Sequence, residues 1–174
     1  QIRKVVKKDI NLIIKSKKNY KFLNLKSIPS IMGILNVTPD SFSDGGKFNK
    51  KKAGLIHANN LFKFGADMID VGGESTRPGS KPIDNKIEWK RIGKIIKLLS
   101  KKIPISLDTR KSEVMKKGIK HGVEIINDVS GLNYDTETIS ILKKYKIPFV
   151  IQHSKGTPEK MQDKPKYKNE LLDI

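Results

Sequence analysis

The 174 residues give room for one domain with its own core, and hydrophobic residues, at 36% and spread along the chain, exclude general disorder. No apolar run approaches the length of a membrane span, the N-terminus lacks a signal-peptide core, and the absence of cysteine excludes disulfides and thiolate metal sites, so no membrane association and a cytoplasmic protein are expected. The formal charge of +18 suggests nucleic acid, yet only Arg3, Arg77, Arg91 and Arg110 are arginines, and the lysines are scattered without interleaved aromatics, so no specific nucleic-acid surface is expected.

Residues 1–30 read as an N-terminal extension, with a short helix in KVVKKDINLIIK and a strand in YKFLNL (20–25). From there apolar β-branched runs alternate with amphipathic ones. IMGIL (31–35), DMIDV (67–71), IPISL (103–107), VEIIN (123–127) and IPFVI (147–151) predict strands buried on both faces. Segments 51–65, 87–101, 112–122 and 136–146 predict the helices between them. In the second of these, Ile92, Ile95, Ile96 and Leu99 recur at helical spacing beside lysines, as on a helix covering a sheet. Gly65 and Gly122 are placed to end their helices in the left-handed conformation.

Five βα units in sequence imply a parallel sheet with right-handed crossovers, either doubly wound or a (β/α) barrel. The polar residues discriminate. Asn36, GGESTRPGS (72–80), Asp108-Thr109-Arg110, Asn127-Asp128 and Gln152-His153 each follow the end of a strand, and in a barrel those ends converge on one mouth. The expected fold is therefore a TIM (β/α)8 barrel, of which residues 31–174 form about the first five units, truncated at the C-terminus.

In GGESTRPGS the glycines admit close backbone approach, and Thr76 and Arg77 add a hydroxyl and a forked cation suited to phosphate. The other reading is a glycine-rich turn with Glu74 and Arg77 paired at the surface. Asp108 and Asn127 match the mixed hydrogen-bonding edge of a heterocycle such as a pterin or purine, or else they cap the helices that follow. Asn36 offers a neutral amide oxygen that suits Mg²⁺ held mainly by substrate phosphates, or else it forms an Asx turn before Pro39. His57 and His121 read as plain surface residues on helices.

IMGILNVTPDSFSDGG and GADMIDVGGESTRPGS closely resemble the two signature segments of the dihydropteroate synthase family, and ISLDTRKSEV, IINDVSGL and HSKGTPEKMQ follow in that family's order. The resemblance covers residues 31–165. It implies a (β/α)8 barrel, homodimeric when full length, that joins 6-hydroxymethyl-7,8-dihydropterin diphosphate to p-aminobenzoate in folate biosynthesis. By the same resemblance Asn36 would ligate Mg²⁺, Thr76 and Arg77 would touch the diphosphate-bearing substrate, Asp108 and Asn127 would hold the pterin ring, and Phe42 and Pro78 would help enclose p-aminobenzoate. No acid, base or nucleophile is required, because the amine attacks as its neutral form. Further family segments would lie beyond Ile174, so the chain alone is expected to be inactive. Where the family often has Met-His-Met, Gln152-His153-Ser154 makes one wall of the pterin pocket more polar. The rival readings are a pterin-dependent methyltransferase and an inactive fragment with non-specific polyanion binding.

Overall fold

The computed structural model describes residues 30–38, 50–75, 80–153 and 168–169. In chain order these form β1 (Met32–Asn36), α1 (Lys50–Lys63), β2 (Met68–Gly72), α2 (Asn85–Leu99), β3 (Ile105–Asp108), α3 (Ser112–Lys120), β4 (Ile125–Asp128), α4 (Thr138–Tyr145) and β5 (Phe149–Ile151). The expected extension lies outside the described residues, Ser30 excepted.

All neighbouring strands pair in parallel, and the sheet order is the chain order, β1-β2-β3-β4-β5. A doubly wound sheet reverses its order at a switch point, whereas a barrel adds each strand beside the last. Sequential order therefore identifies a partial (β/α) barrel.

The strands begin one or two residues later than the apolar runs predict, and all but β5 end one residue later. The reason is the ladder, which continues past the hydrophobic stretch. Val37 N donates to Gly72 O at 2.7 Å, and Thr109 N donates to Asn127 O at 3.1 Å. Asn36, Gly72, Asp108 and Asp128, expected just after the strands, are thus the last residues of β1 to β4, with directions fixed by the pleat, whereas Gln152 and His153 follow β5.

Alternate residues face opposite ways. Leu35, Ile69, Val71, Ile105, Leu107 and Ile126 enter one core with the helices, including Ile92, Ile95 and Ile96 of α2 as the spacing predicts. Each such side chain contributes about 1.5–3 kcal/mol by leaving water. Helix α3 lies so close to the sheet that a Cβ on Gly118 would overlap Leu107 Cδ2. Gly65 and Gly122 take positive φ (108° and 95°) at the helix ends, as predicted.

Two expectations change. Burial on both faces holds for β2, but β1 alternates and β5 is exposed throughout, because these strands are the sheet margins among the described residues. His121 is not a plain surface residue: it is half-buried, its ring lies 5.3 Å from that of Trp89, and its Nδ1 lies 2.7 Å from Lys117 O. Among the described residues no helix is long and apolar enough to cross a membrane.

Candidate functional site

One register row crosses the sheet at its C-terminal end: Asn36 opposite Gly72, Gly72 opposite Asp108, and Asp108 opposite Asn127. These residues lie on the face turned away from the helices. The row beneath, on the same face, holds Ile34, Asp70, Ser106 and Ile125. Three of the site residues expected from the sequence, Asn36, Asp108 and Asn127, are therefore brought together. Thr76, Arg77, Phe42 and Pro78 lie outside the described residues.

Gly72 gives the row its shape. A Cβ there would stand 3.1 Å from Asp108 Oδ2 and 3.2 Å from Asn36 Oδ1, so both side chains border the notch that the glycine leaves.

Asp70 was read from sequence only as part of an apolar strand, yet it belongs to the site. Asn127 Nδ2 donates to its Oδ2 at 3.1 Å. A carboxylate only accepts, so the amide turns its nitrogen to Asp70 and leaves its carbonyl oxygen and second N–H for a ligand. Among the described residues, Asp70 Oδ1 and Asp108 Oδ1 are buried acceptors without a donor. Such atoms are costly in an empty site and useful where a ligand brings N–H groups.

Burial pushes the Asp108 carboxyl up to about 7, with the charges of Asp70, Glu88, Asp128 and Glu74 adding to the effect. Burial also raises Asp70, opposed by Ser106 and Asn127. The mouth thus concentrates carboxyl groups within a strongly basic protein.

The capping alternatives for Asp108 and Asn127 do not hold. The first amide of α3, Ser112 N, donates to Asp135 Oδ2 at 2.9 Å, and the Glu137 amide donates to Asp135 Oδ1 at 3.0 Å. Although partial burial alone would raise Asp135, these amides hold it below its ordinary value. Asp128 Oδ1 instead accepts from Ser130 N at 2.8 Å in a turn.

Nor does Glu74 stand at the surface as the turn reading supposed. It is buried between Arg110, whose Nη2 donates to Oε1 at 2.7 Å, and Lys111, whose Nζ donates to Oε2. Lys111 Nζ also donates to Glu88 Oε2 at 2.6 Å. Sequence reading missed this cluster; the signal was a glutamate at a core position of α2, one turn before Ile92.

A surface cavity of about 410 Å³ lies at the other end of the sheet, beside Asp67 and Pro104. Its carboxylate already accepts from Ile31 N at 2.7 Å, so the polar mouth is the stronger candidate.

Residues 32–173 match the family described as pterin binding enzyme. The dihydropteroate synthase of Clostridium beijerinckii is 41% identical over 156 residues, which cover 88% of this chain and 55% of that protein. Among solved structures, FolP, a dihydropteroate synthase from Clostridium difficile determined in the presence of pteroic acid, is 44% identical with a TM-score of 0.74, covering 83% of this chain and 53% of that one. The Yersinia pestis dihydropteroate synthase in a sulfonamide drug complex superposes with a TM-score of 0.80 at 36% identity, covering 90% and 57% respectively. The chain spans about half the length of the curated relatives it matches.

Proposed function

Because the chain belongs to the family of pterin-binding enzymes, we propose that the whole protein is a dihydropteroate synthase, condensing 6-hydroxymethyl-7,8-dihydropterin diphosphate with p-aminobenzoate to give 7,8-dihydropteroate and diphosphate. The observation that carries this reading is the row Asn36–Gly72–Asp108–Asn127, with buried acceptors on Asp70 and Asp108 at one mouth that have no donor among the described residues. A pterin ring offers N–H donors and carbonyl and ring-nitrogen acceptors along one edge. Asp108 takes the donors, and Asn127, oriented by Asp70, meets both kinds of group.

Thr76 and Arg77 hold the diphosphate in this reading, and Phe42 and Pro78 enclose p-aminobenzoate. The attacking amine is neutral and needs no base. The protein then contributes position and charge stabilisation as the C–O bond to the diphosphate breaks. Asn36 Oδ1, which borders the Gly72 notch, would supply one neutral oxygen to a Mg²⁺ held mainly by substrate phosphates. Such an ion would supply positive charge against the diphosphate. The resemblance also supports a cytoplasmic homodimer, and the scattered lysines support no specific nucleic-acid partner.

The test is an assay of the full-length protein with Mg²⁺ and both substrates. Dihydropteroate is expected; methyl transfer from a methylpterin with no dihydropteroate formed would overturn the assignment. A second expectation concerns Gly72→Ala. Its methyl group displaces Asp108 and Asn36, so kcat/KM is expected to fall about tenfold or more with little change in thermal midpoint. Unchanged kinetics would show that the notch does not matter.

A further inference from the structure

The placement of the buried ion cluster of Glu74, Glu88, Arg110 and Lys111 is informative. Strand β2 leaves the sheet at Gly72, and Gly73 then lies directly on α2, where a Cβ would meet Ile92 Cγ2 at 2.9 Å and Glu88 O at 3.1 Å. Arg91 Nη1 donates to Gly73 O at 2.7 Å and fixes that peptide. The next residue, Glu74, turns to the continuation of β3, where Arg110 and Lys111 hold its two carboxylate oxygens. Lys111 also reaches back to Glu88 on α2. The Arg110 guanidinium lies 4.0 Å from the ring centroid of Tyr134, in the connection after β4. Three consecutive mouth connections are thereby tied together directly behind Gly72 and Asp108.

We infer that Arg110 and Lys111 are positioning residues that hold Gly72, Gly73 and Asp108 in the arrangement a dihydropterin ligand meets. The inference rests on the synthase reading given above. Both cations are buried and each is engaged by glutamate, so they would act on a ligand through the groups they hold. Because each cation meets a carboxylate in a directed, charge-assisted hydrogen bond, the cluster fixes the connections after β2 and β3 relative to each other. Loss of one member therefore shifts the pterin-facing row and spares chemistry at the amine.

The experiment uses the full-length protein and compares Arg110→Met, Arg110→Lys, Glu74→Gln and the Glu74→Gln/Arg110→Met double variant. For Arg110→Met the KM for dihydropterin diphosphate and the Kd for 6-hydroxymethylpterin are expected to rise about tenfold, with kcat and the KM for p-aminobenzoate changed less than about threefold. Arg110→Lys recovers most of the loss. The double variant is no worse than the more impaired single one, because the two groups act as a unit. Glu74→Gln keeps the side-chain shape and gives the same signature should Arg110→Met fail to fold. A kcat that falls with the folded fraction at constant KM and Kd would reduce the cluster to a structural role and overturn the inference. So would equal rises in both KM values, or no recovery with lysine. Wild-type protein that binds no 6-hydroxymethylpterin would overturn the synthase reading together with this one.

Discussion

Replacing Lys111 with methionine is expected to destabilise the protein by about 3–5 kcal/mol, read as a fall in the urea midpoint at neutral pH. The ammonium serves two carboxylates, Glu74 and Glu88, whose side chains are 6% and 0% exposed. Methionine keeps the length of the stem but, among the described residues, leaves Glu88 without a cation and Glu74 with Arg110 alone. Burying an uncompensated carboxylate costs far more than the intact pair contributes. The contrast lies on the surface of α3, where Lys117 meets Glu113 at 3.1 Å but both side chains are substantially exposed. Lys117→Ala is expected to cost no more than about 0.5 kcal/mol, since water and salt screen that pair. A Lys111→Met protein within 1 kcal/mol of wild type, an order-of-magnitude bound, would mean that the cluster is not a buried ionic unit.

Asp108→Asn is expected to reduce affinity for 6-hydroxymethylpterin by about 100-fold or more, and to do so while making the ligand-free protein more stable above neutral pH. The sign follows from protons. Folding raises the Asp108 carboxyl from 3.8 to about 7, so between these values the folded protein keeps a proton that the unfolded chain has released. Stability from this group is accordingly highest below about pH 4, declines as pH rises, and is lost in full above about 7, a penalty on the order of 4 kcal/mol. Asparagine cannot ionise, so its advantage should appear by pH 8 and vanish near pH 4.

Binding runs the other way. The ionised carboxylate is the better acceptor for ring N–H groups, so wild-type affinity should improve about tenfold per pH unit up to about 7. The asparagine variant should lack that slope. Thermal melts of both proteins across this range, with calorimetric titration of 6-hydroxymethylpterin, test the two halves together. Parallel melting profiles would show that Asp108 does not carry the proton.

The sequence displayed the sheet well because its strands are short, apolar and regularly spaced, and because polar groups gather at their ends. It displayed Asn36, Asp108 and Asn127 for the same reason. It hid Asp70, since an aspartate inside DMIDV reads as an interruption of an apolar run; two-residue alternation with Gly72 would have placed it on the same face. It hid the Glu74–Arg110–Lys111–Glu88 cluster for a different reason. Those partners lie 23 to 37 residues apart, and no periodicity within one element links them. The capping of α3 by Asp135, 23 residues away from Ser112, was equally invisible, because local rules look for a cap beside the helix it serves.

The shared register of Asn36, Gly72, Asp108 and Asn127 has a consequence for what can change in such a site. Neighbouring strands stand about 4.8 Å apart because peptide hydrogen bonds set that interval, whatever the side chains are. The four positions therefore form a ruler whose divisions belong to the backbone. Substitutions in the connecting loops can alter how quickly a ligand enters or how long it stays, but they cannot restretch the graduations. A rigid bicyclic molecule that matches the ruler is a harder target for escape by loop mutation than one whose grip depends on the loops alone.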